Sequence, residues 1–189
     1  MIGPLAALAV LALQSGSVSI SIEETSETLY SDIEGRSEQD IADWFAARQF
    51  GGTIGESSTS LSTYYQLQPS DGLCRLTGIT AYLHISDTRP RWLDEADGAR
   101  RVRRQWQTYL TNLQTHLDGH AEIARRGAAI VVDRLSQTAP QESCASLQAT
   151  LDALSRNLWD RLDVSLREYD SATQRGRTQG AYIEFRSRR

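Results

Sequence analysis

The chain has 189 residues and a formal net charge of −4. This length suits one well-formed core, and the mild acidity argues against a protein dedicated to nucleic acid. All 20 of its Lys and Arg residues are arginine, which excludes Schiff-base and P-loop chemistry because both need a lysine.

The first 17 residues have the pattern of a signal peptide. A continuous apolar run, residues 4–13, precedes the small polar residues 14–17, as in a leader with a small-residue cleavage zone. No Arg or Lys precedes the run, so an N-terminal core segment is the alternative. We expect residues 1–17 to be a leader, residues 18–189 to form a single domain, and the protein to be periplasmic or secreted. The run is too short to span a bilayer, and we expect no transmembrane segment in the mature chain.

The first half of the chain predicts strands around one short helix. Residues 18–22 alternate apolar and polar side chains, and residues 28–33 suit a second strand. A short helix is expected to begin at Ser37, an N-cap with Asp40 three residues later, and to end before the glycine pair at 51–52.

Two further regions of the first half favour strands. Residues 53–68 are rich in Ser, Thr and Tyr, which suits one or two strands. The clearest strand begins at Cys74 and is expected to stop near Pro90. Alternate positions predict its two faces: Ile79, Ala81, Leu83 and Ile85 on one, and Thr80, Tyr82, His84 and Ser86 on the other.

The second half predicts two long amphipathic helices. Residues 99–135 contain apolar and ring-bearing side chains at steps of three and four with no proline. Pro140 separates this helix from a second one that reaches Tyr169, and the short link implies an antiparallel pair. A terminal strand is expected at residues 181–185. We therefore predict an α+β fold, with a small, mainly antiparallel sheet packed on a long antiparallel helical hairpin.

Cys74 and Cys144 are the two cysteines of the chain. In an exported protein they would form one disulfide, and in the cytosol they would be free thiols. The disulfide would join the clearest strand to the start of the second long helix.

His116 and His120 lie four residues apart on the buried face predicted for the first long helix. Side chains at this spacing are neighbours, and two histidines so placed can hold one metal ion. In zinc peptidases the residue after the first histidine is a glutamate, which activates the metal-bound water. Here that residue is Leu117, which cannot accept a proton.

Two residues are candidates to complete such a site. His84 is the third histidine of the chain and could be a ligand if its strand face met the helix, although that face is predicted to be polar and solvent-exposed. Asp170 could orient a histidine, supply a ligand in a rearranged site, or cap the end of the helical pair.

Several segments, in this order, resemble one bacterial family, the domain of unknown function 922, described as predicted secreted zinc-dependent proteases. The segments are Gly-Arg-Ser at 35–37, Arg-Pro-Arg-Trp at 89–92, Gln-Trp-Gln-Thr-Tyr-Leu at 105–110, the histidine pair, the cysteine pair, Tyr-Asp-Ser-Ala-Thr at 169–173 and Gly-Arg-Thr-Gln-Gly-Ala at 176–181. The resemblance covers nearly the whole chain after the leader and implies a zincin-like arrangement.

The resemblance also implies a site, which this chain retains in part. In that family the helix carries His-Glu-x-x-His, and a tail histidine before the first glycine is the third metal ligand. The two helix histidines correspond to His116 and His120, the glutamate to Leu117 and the tail histidine to Arg175. An arginine would repel a cation, and two histidines alone bind zinc weakly. We therefore expect that zinc can bind but is not held tightly.

These observations favour a degenerate, catalytically inactive secreted zinc-protease-like protein. Its partner would be an unidentified protein or peptide of the cell envelope, with no nucleic acid. Two alternatives stay open: an active secreted zinc-dependent metallopeptidase with a rearranged site, and a non-enzymatic periplasmic interaction module.

Overall fold

The computed structural model describes residues 18–47 and 55–183. The predicted leader, residues 1–17, and the glycine pair at 51–52 lie outside these ranges. Within them, three β-strands and three α-helices form an α+β fold, which confirms the predicted class.

The sheet contains β1 (Ser19–Ile33), β2 (Glu56–Ser70) and β3 (Leu73–Trp92), in the order β1-β3-β2. β2 and β3 pair antiparallel, whereas β1 pairs parallel with β3 along its whole length. The prediction of a mainly antiparallel sheet is therefore wrong, and the sheet is mixed. A helix and β2 lie between β1 and β3 in sequence, and together they supply the long crossover that parallel neighbours require.

Two strand boundaries also differ from the prediction. β1 is one continuous strand where two were predicted, and β3 continues past Pro90 to Trp92. Pro90 pairs with Ser31 of β1, whereas the described pairing of β3 with β2 ends at Thr88. Among the described residues, Pro90 therefore has a ladder neighbour on one side only, where a proline is tolerated.

The first helix, α1, spans Glu38–Ala47, and the predicted cap is present. The Asp40 backbone N–H donates to Ser37 Oγ at 3.1 Å, and the Ser37 N–H donates to Asp40 Oδ2 at 2.9 Å. The Ser37 backbone N–H, the Ser37 hydroxyl and the Arg36 backbone N–H hold the pKa of Asp40 below its usual value. This reciprocal pairing satisfies two backbone donors at the start of the helix.

Two long helices, α2 (Arg100–Ser136) and α3 (Cys144–Thr173), pack on the sheet. The face of β3 predicted to be apolar is buried, and it packs on both helices. None of the described helices combines the length and the apolar character needed to cross a membrane.

Glycines allow α2 and α3 to approach each other closely. A Cβ atom at Gly127 would overlap Leu162, and one at Gly119 would overlap Tyr169. Gly127, the later of these two glycines in α2, therefore contacts Leu162, which precedes Tyr169 in α3.

The tail forms a 3-10 turn, Arg177–Gln179, between Gly176 and Gly180. Both glycines have positive φ angles, 81° and 79°. The predicted terminal strand is wrong for residues 181–183, and residues 184–185 lie outside the described ranges. Ala181 and Ile183 are instead buried in an apolar cluster with α1 and the first half of α2.

A disulfide joins Cys74, in β3, to Cys144, the first residue of α3, across 70 residues of sequence. Beside it, the backbones of Cys74 and Gln141 exchange two hydrogen bonds. This link fixes the start of α3 to one end of the sheet.

Replacing both cysteines by serine should therefore destabilise the fold. Chain entropy predicts a loss of about 4 kcal/mol in the free energy of unfolding for a closed loop of this size. Urea unfolding of the wild type and the double variant, with and without reductant, measures the loss. Reductant should destabilise the wild type only, and equal midpoints for its oxidised and reduced forms would contradict the prediction.

Candidate metal centre

His116 and His120 project from α2 toward α3. Their residues are 2% and 5% exposed, and their ring centroids are 4.8 Å apart. The helix carries both rings into one buried space because they lie about one turn apart.

Asp170, near the end of α3, completes the cluster. Its Oδ1 atom lies 2.9 Å from Nε2 of His120 and 3.3 Å from Nε2 of His116. One ligand atom from each of the three residues lies within 4.8 Å of the others. The Asp170 side chain is 39% exposed, so the cluster is reachable from solvent. Two imidazole nitrogens and one carboxylate oxygen form a donor set that suits zinc.

Tyr169 places α3 against the two imidazoles. Its ring stacks on His116, with centroids 5.2 Å apart and planes 13° apart, and meets His120 edge-on at 4.9 Å. Its hydroxyl donates to the His116 backbone carbonyl oxygen at 3.2 Å. Gly119 permits this approach because any Cβ there would overlap the Tyr169 hydroxyl and ring.

The tail also packs against His116. Gln179 Oε1 lies 2.9 Å from His116 Nδ1, and Gln179 Nε2 lies 2.9 Å from the Tyr169 hydroxyl oxygen. A Cβ atom at Gly176 would come within 2.9 Å of His116 Cγ. The glycine lets the tail backbone pass directly beside the imidazole.

Burial is the largest influence on the charge of His116. It lowers the pKa of this imidazole below its usual value, and the nearby His120 lowers it further, while Gln179 and Asp170 act in the opposite direction. The neutral form is therefore favoured at pH 7, and neutral imidazole is the form that binds metal.

Leu117, the residue after the first histidine, lies in the hydrophobic core. It is 1% exposed and belongs to an apolar cluster with Leu113 and Ala181. The two acidic residues nearby in sequence make other contacts. Asp118 accepts a hydrogen bond from Gln114 at 2.6 Å, and Glu122 is an exposed partner of an arginine at 3.7 Å.

Two positions considered for a third ligand lie outside the cluster. Arg175 is exposed, and its backbone N–H donates to the Asp170 carbonyl oxygen at 2.7 Å. His84 lies on the outer face of the sheet, where its ring contacts Thr25 at 3.0 Å and Glu27 at 3.4 Å. Among the described residues, Asp170 is thus the one that joins the histidine pair.

Sequence reasoning missed the contact of Gln179 with His116. The two glycines at 176 and 180 were a signal, because they mark a backbone that turns sharply and approaches another segment closely. Nothing in the sequence indicated that this segment would meet α2 at His116.

Comparison with known proteins shows the family of the chain. The sequence model of a family described as bacterial proteins of unknown function (DUF922) matches residues 28–177, which is most of the chain. The chain therefore belongs to this family. The match includes all three residues of the cluster and ends just before Gln179. None of the curated proteins and none of the solved structures compared with the chain matches it.

A glutamate at position 117 should destabilise the fold, because it would place a carboxylate in an apolar cluster. We expect Leu117→Glu to cost several kcal/mol at neutral pH, and the cost should shrink as the pH falls and the buried carboxyl is protonated. Urea unfolding across pH measures both effects.

Leu117→Met is the matched control, since a volume-conserving apolar exchange should cost less than about 1.5 kcal/mol. A Leu117→Glu variant as stable as this control at pH 7 would show that position 117 can face solvent.

Adding a methyl group at Gly119 should also be unfavourable. A Gly→Ala change in a helix interior ordinarily stabilises by about 1 kcal/mol, but here the new Cβ would displace Tyr169. We expect Gly119→Ala to destabilise the wild type and to become neutral or stabilising in a Tyr169→Ala background. A double-mutant cycle of unfolding free energies tests this coupling, and additive effects would contradict it.

Proposed function

We propose that this protein binds a divalent cation, zinc first, through His116, His120 and Asp170, and that it acts in the cell envelope without peptidase activity. The observation that carries the proposal is the convergence of three suitable donor atoms, two of them on buried side chains. The number of protein ligands expected for zinc is met, because catalytic zinc sites commonly have three protein ligands with an open fourth position.

The chemistry of the three residues fits such an ion. Both Nε2 atoms face the same carboxylate oxygen, so the negative charge of Asp170 would offset part of the charge of a cation bound there. A bound zinc would supply Lewis acidity to an oxygen or nitrogen atom of a ligand. Asp170 is partly exposed, which gives a partner such as a peptide a route to the centre.

The absence of a base at position 117 supports a binding role over hydrolysis. A zinc peptidase requires a group that removes a proton from water, and Leu117 cannot do so. Asp118 and Glu122 are engaged elsewhere. We therefore propose a degenerate zinc-protease-like protein whose partner is a protein or peptide of the cell envelope.

Two further features support a place outside the cytosol. The disulfide between Cys74 and Cys144 is typical of oxidising compartments, and the apolar run at residues 4–13 matches an export leader. We propose a periplasmic or secreted protein, with zinc-dependent proteases as its structural relatives. The contacts of Gly119 with Tyr169 and of Gly127 with Leu162 support an antiparallel helical hairpin, and we propose a zincin-like arrangement on the resemblance of the helix motif.

A second candidate is an active metallopeptidase with a rearranged site. The position of Asp170 favours it, because this residue supplies a third donor although the tail position carries Arg175. The two candidates share the metal centre and differ in the chemistry that follows binding.

Zinc binding to untagged protein tests the centre that both candidates share. Elemental analysis after zinc loading and dialysis should find one zinc per chain in the wild type. At a free zinc concentration of about 100 times Kd, binding should stabilise the fold by about 2.7 kcal/mol. Both signals should fall sharply in His120→Gln and Asp170→Asn.

His84→Ala is the matched control, because that histidine lies on the outer face of the sheet, and it should bind zinc like the wild type. No retained zinc in the wild type, or an equal loss in His84→Ala, would refute the proposed site. Peptide-cleavage assays on the loaded protein separate the two candidates: activity that disappears in Asp170→Asn would favour the peptidase.

A further inference from the structure

We propose that Gln179 and Tyr169 are positioning residues for His116, forming a hydrogen-bond relay that keeps the imidazole proton on Nδ1 and turns the Nε2 lone pair toward Asp170. The relay is a property of the metal-free protein. Its effect on affinity rests on the proposed metal-binding function.

The relay begins at the His116 backbone carbonyl oxygen, a group that can accept a hydrogen bond but cannot donate one. The Tyr169 hydroxyl lies 3.2 Å from the His116 carbonyl oxygen and 3.4 Å from Gln179 Oε1, and we assign its proton to the nearer acceptor, the carbonyl oxygen. The same hydroxyl oxygen lies 2.9 Å from Gln179 Nε2. Since its proton is already committed, the hydroxyl oxygen accepts a hydrogen bond from the amide.

The amide then determines which nitrogen of His116 carries the proton. With Nε2 of Gln179 directed at Tyr169, its Oε1 faces His116 Nδ1 at 2.9 Å. An amide oxygen only accepts, so Nδ1 must donate. In a neutral imidazole one nitrogen carries the proton and the other is an acceptor. The relay therefore leaves Nε2 of His116 with a free lone pair.

This lone pair faces another acceptor. Nε2 of His116 lies 3.3 Å from Asp170 Oδ1, whereas Nε2 of His120, at 2.9 Å, can donate to that same oxygen. A lone pair held against a carboxylate oxygen is unfavourable without a proton or a cation near both atoms. Metal-bound histidines commonly donate their other N–H to an acceptor that fixes the ring, and Gln179 has that relation to His116.

The fold holds Gln179 in place from both sides. Its backbone N–H donates to the Gly176 carbonyl oxygen at 3.0 Å, and Asn112 of α2 donates to the Gly180 carbonyl oxygen at 3.0 Å. The tail is therefore fixed to the helix that carries the histidines. This anchoring reduces the cost of ordering the Gln179 side chain when the site forms.

The tautomer of His116 in the metal-free protein is the first test. Long-range proton–nitrogen correlation spectra of protein with isotope-labelled histidine distinguish a proton on Nδ1 from one on Nε2, and a His84→Ala spectrum helps to assign the signals. We expect Nδ1–H in the wild type. In Gln179→Leu, His116 should move toward Nε2–H, which can donate to Asp170.

Zinc affinity, measured by competition with a chelator, is the second test. Gln179→Leu should weaken binding by roughly 10–100-fold, the usual effect of losing such a supporting contact. Gln179→Glu keeps an acceptor for Nδ1–H and should restore most of the affinity. Gln148→Leu is the matched control, since Gln148 donates to Asp152 at 3.0 Å and contributes no contact to the cluster among the described residues.

The outcomes separate this inference from the proposed function. Nε2–H on His116 in the wild type, or unchanged tautomer and affinity in Gln179→Leu, would overturn the relay even if the wild type binds zinc. A wild type with Nδ1–H that binds no zinc would refute the proposed function and leave the relay standing. If Gln179→Leu fails to fold, Tyr169→Phe tests the same chain of donors by removing only the hydroxyl.

Discussion

The close contact of α3 with α2 at Gly119 is the constraint on which the candidate centre depends. Because position 119 has no side chain, the Tyr169 ring can lie flat against His116. Asp170 follows directly in the same helix, so the packing of Tyr169 also carries the carboxylate to both imidazoles. A glycine weakens a helix interior, and here the packing that it permits explains its presence.

Hydrogen bonds at Nδ1 of His116 and at Nε2 of His120 offset part of the cost of burying these two imidazoles. Burying an imidazole is costly unless its nitrogens form hydrogen bonds. His116 has Gln179 on one nitrogen and Asp170 near the other. These partners come from α3 and from the tail, so the polar cluster ties three segments of the chain together and makes the geometry of the centre depend on all of them.

Two adjacent residues of α2, His116 and Leu117, lie in different environments. His116 faces α3 and the tail, whereas Leu117, the next residue, packs in the apolar cluster beneath α1. Residues adjacent in a helix point about 100° apart, so the leucine completes a core while the imidazole of His116 faces α3 and the tail. The chain belongs to a family of bacterial proteins of unknown function, so the support for its role comes from the chemistry of this site.

The sequence by itself determined the features that depend on local periodicity. Spacings of two, three and four residues predicted the two faces of β3, the extent of α2, the burial of the histidine pair and the Ser37–Asp40 cap. The backbone geometry of strands and helices imposes these spacings directly.

Only the tertiary structure decided which distant segments meet. Four contacts are of this kind. They are the parallel pairing of β1 with β3, the pairing of Pro90 with β1, the contact of Asp170 rather than Arg175 with the histidine pair, and the contact of Gln179 with His116. Asp170 lies 50 residues from His120, and Gln179 lies 63 residues from His116. No local spacing encodes such contacts, because they depend on how whole helices and strands pack against one another.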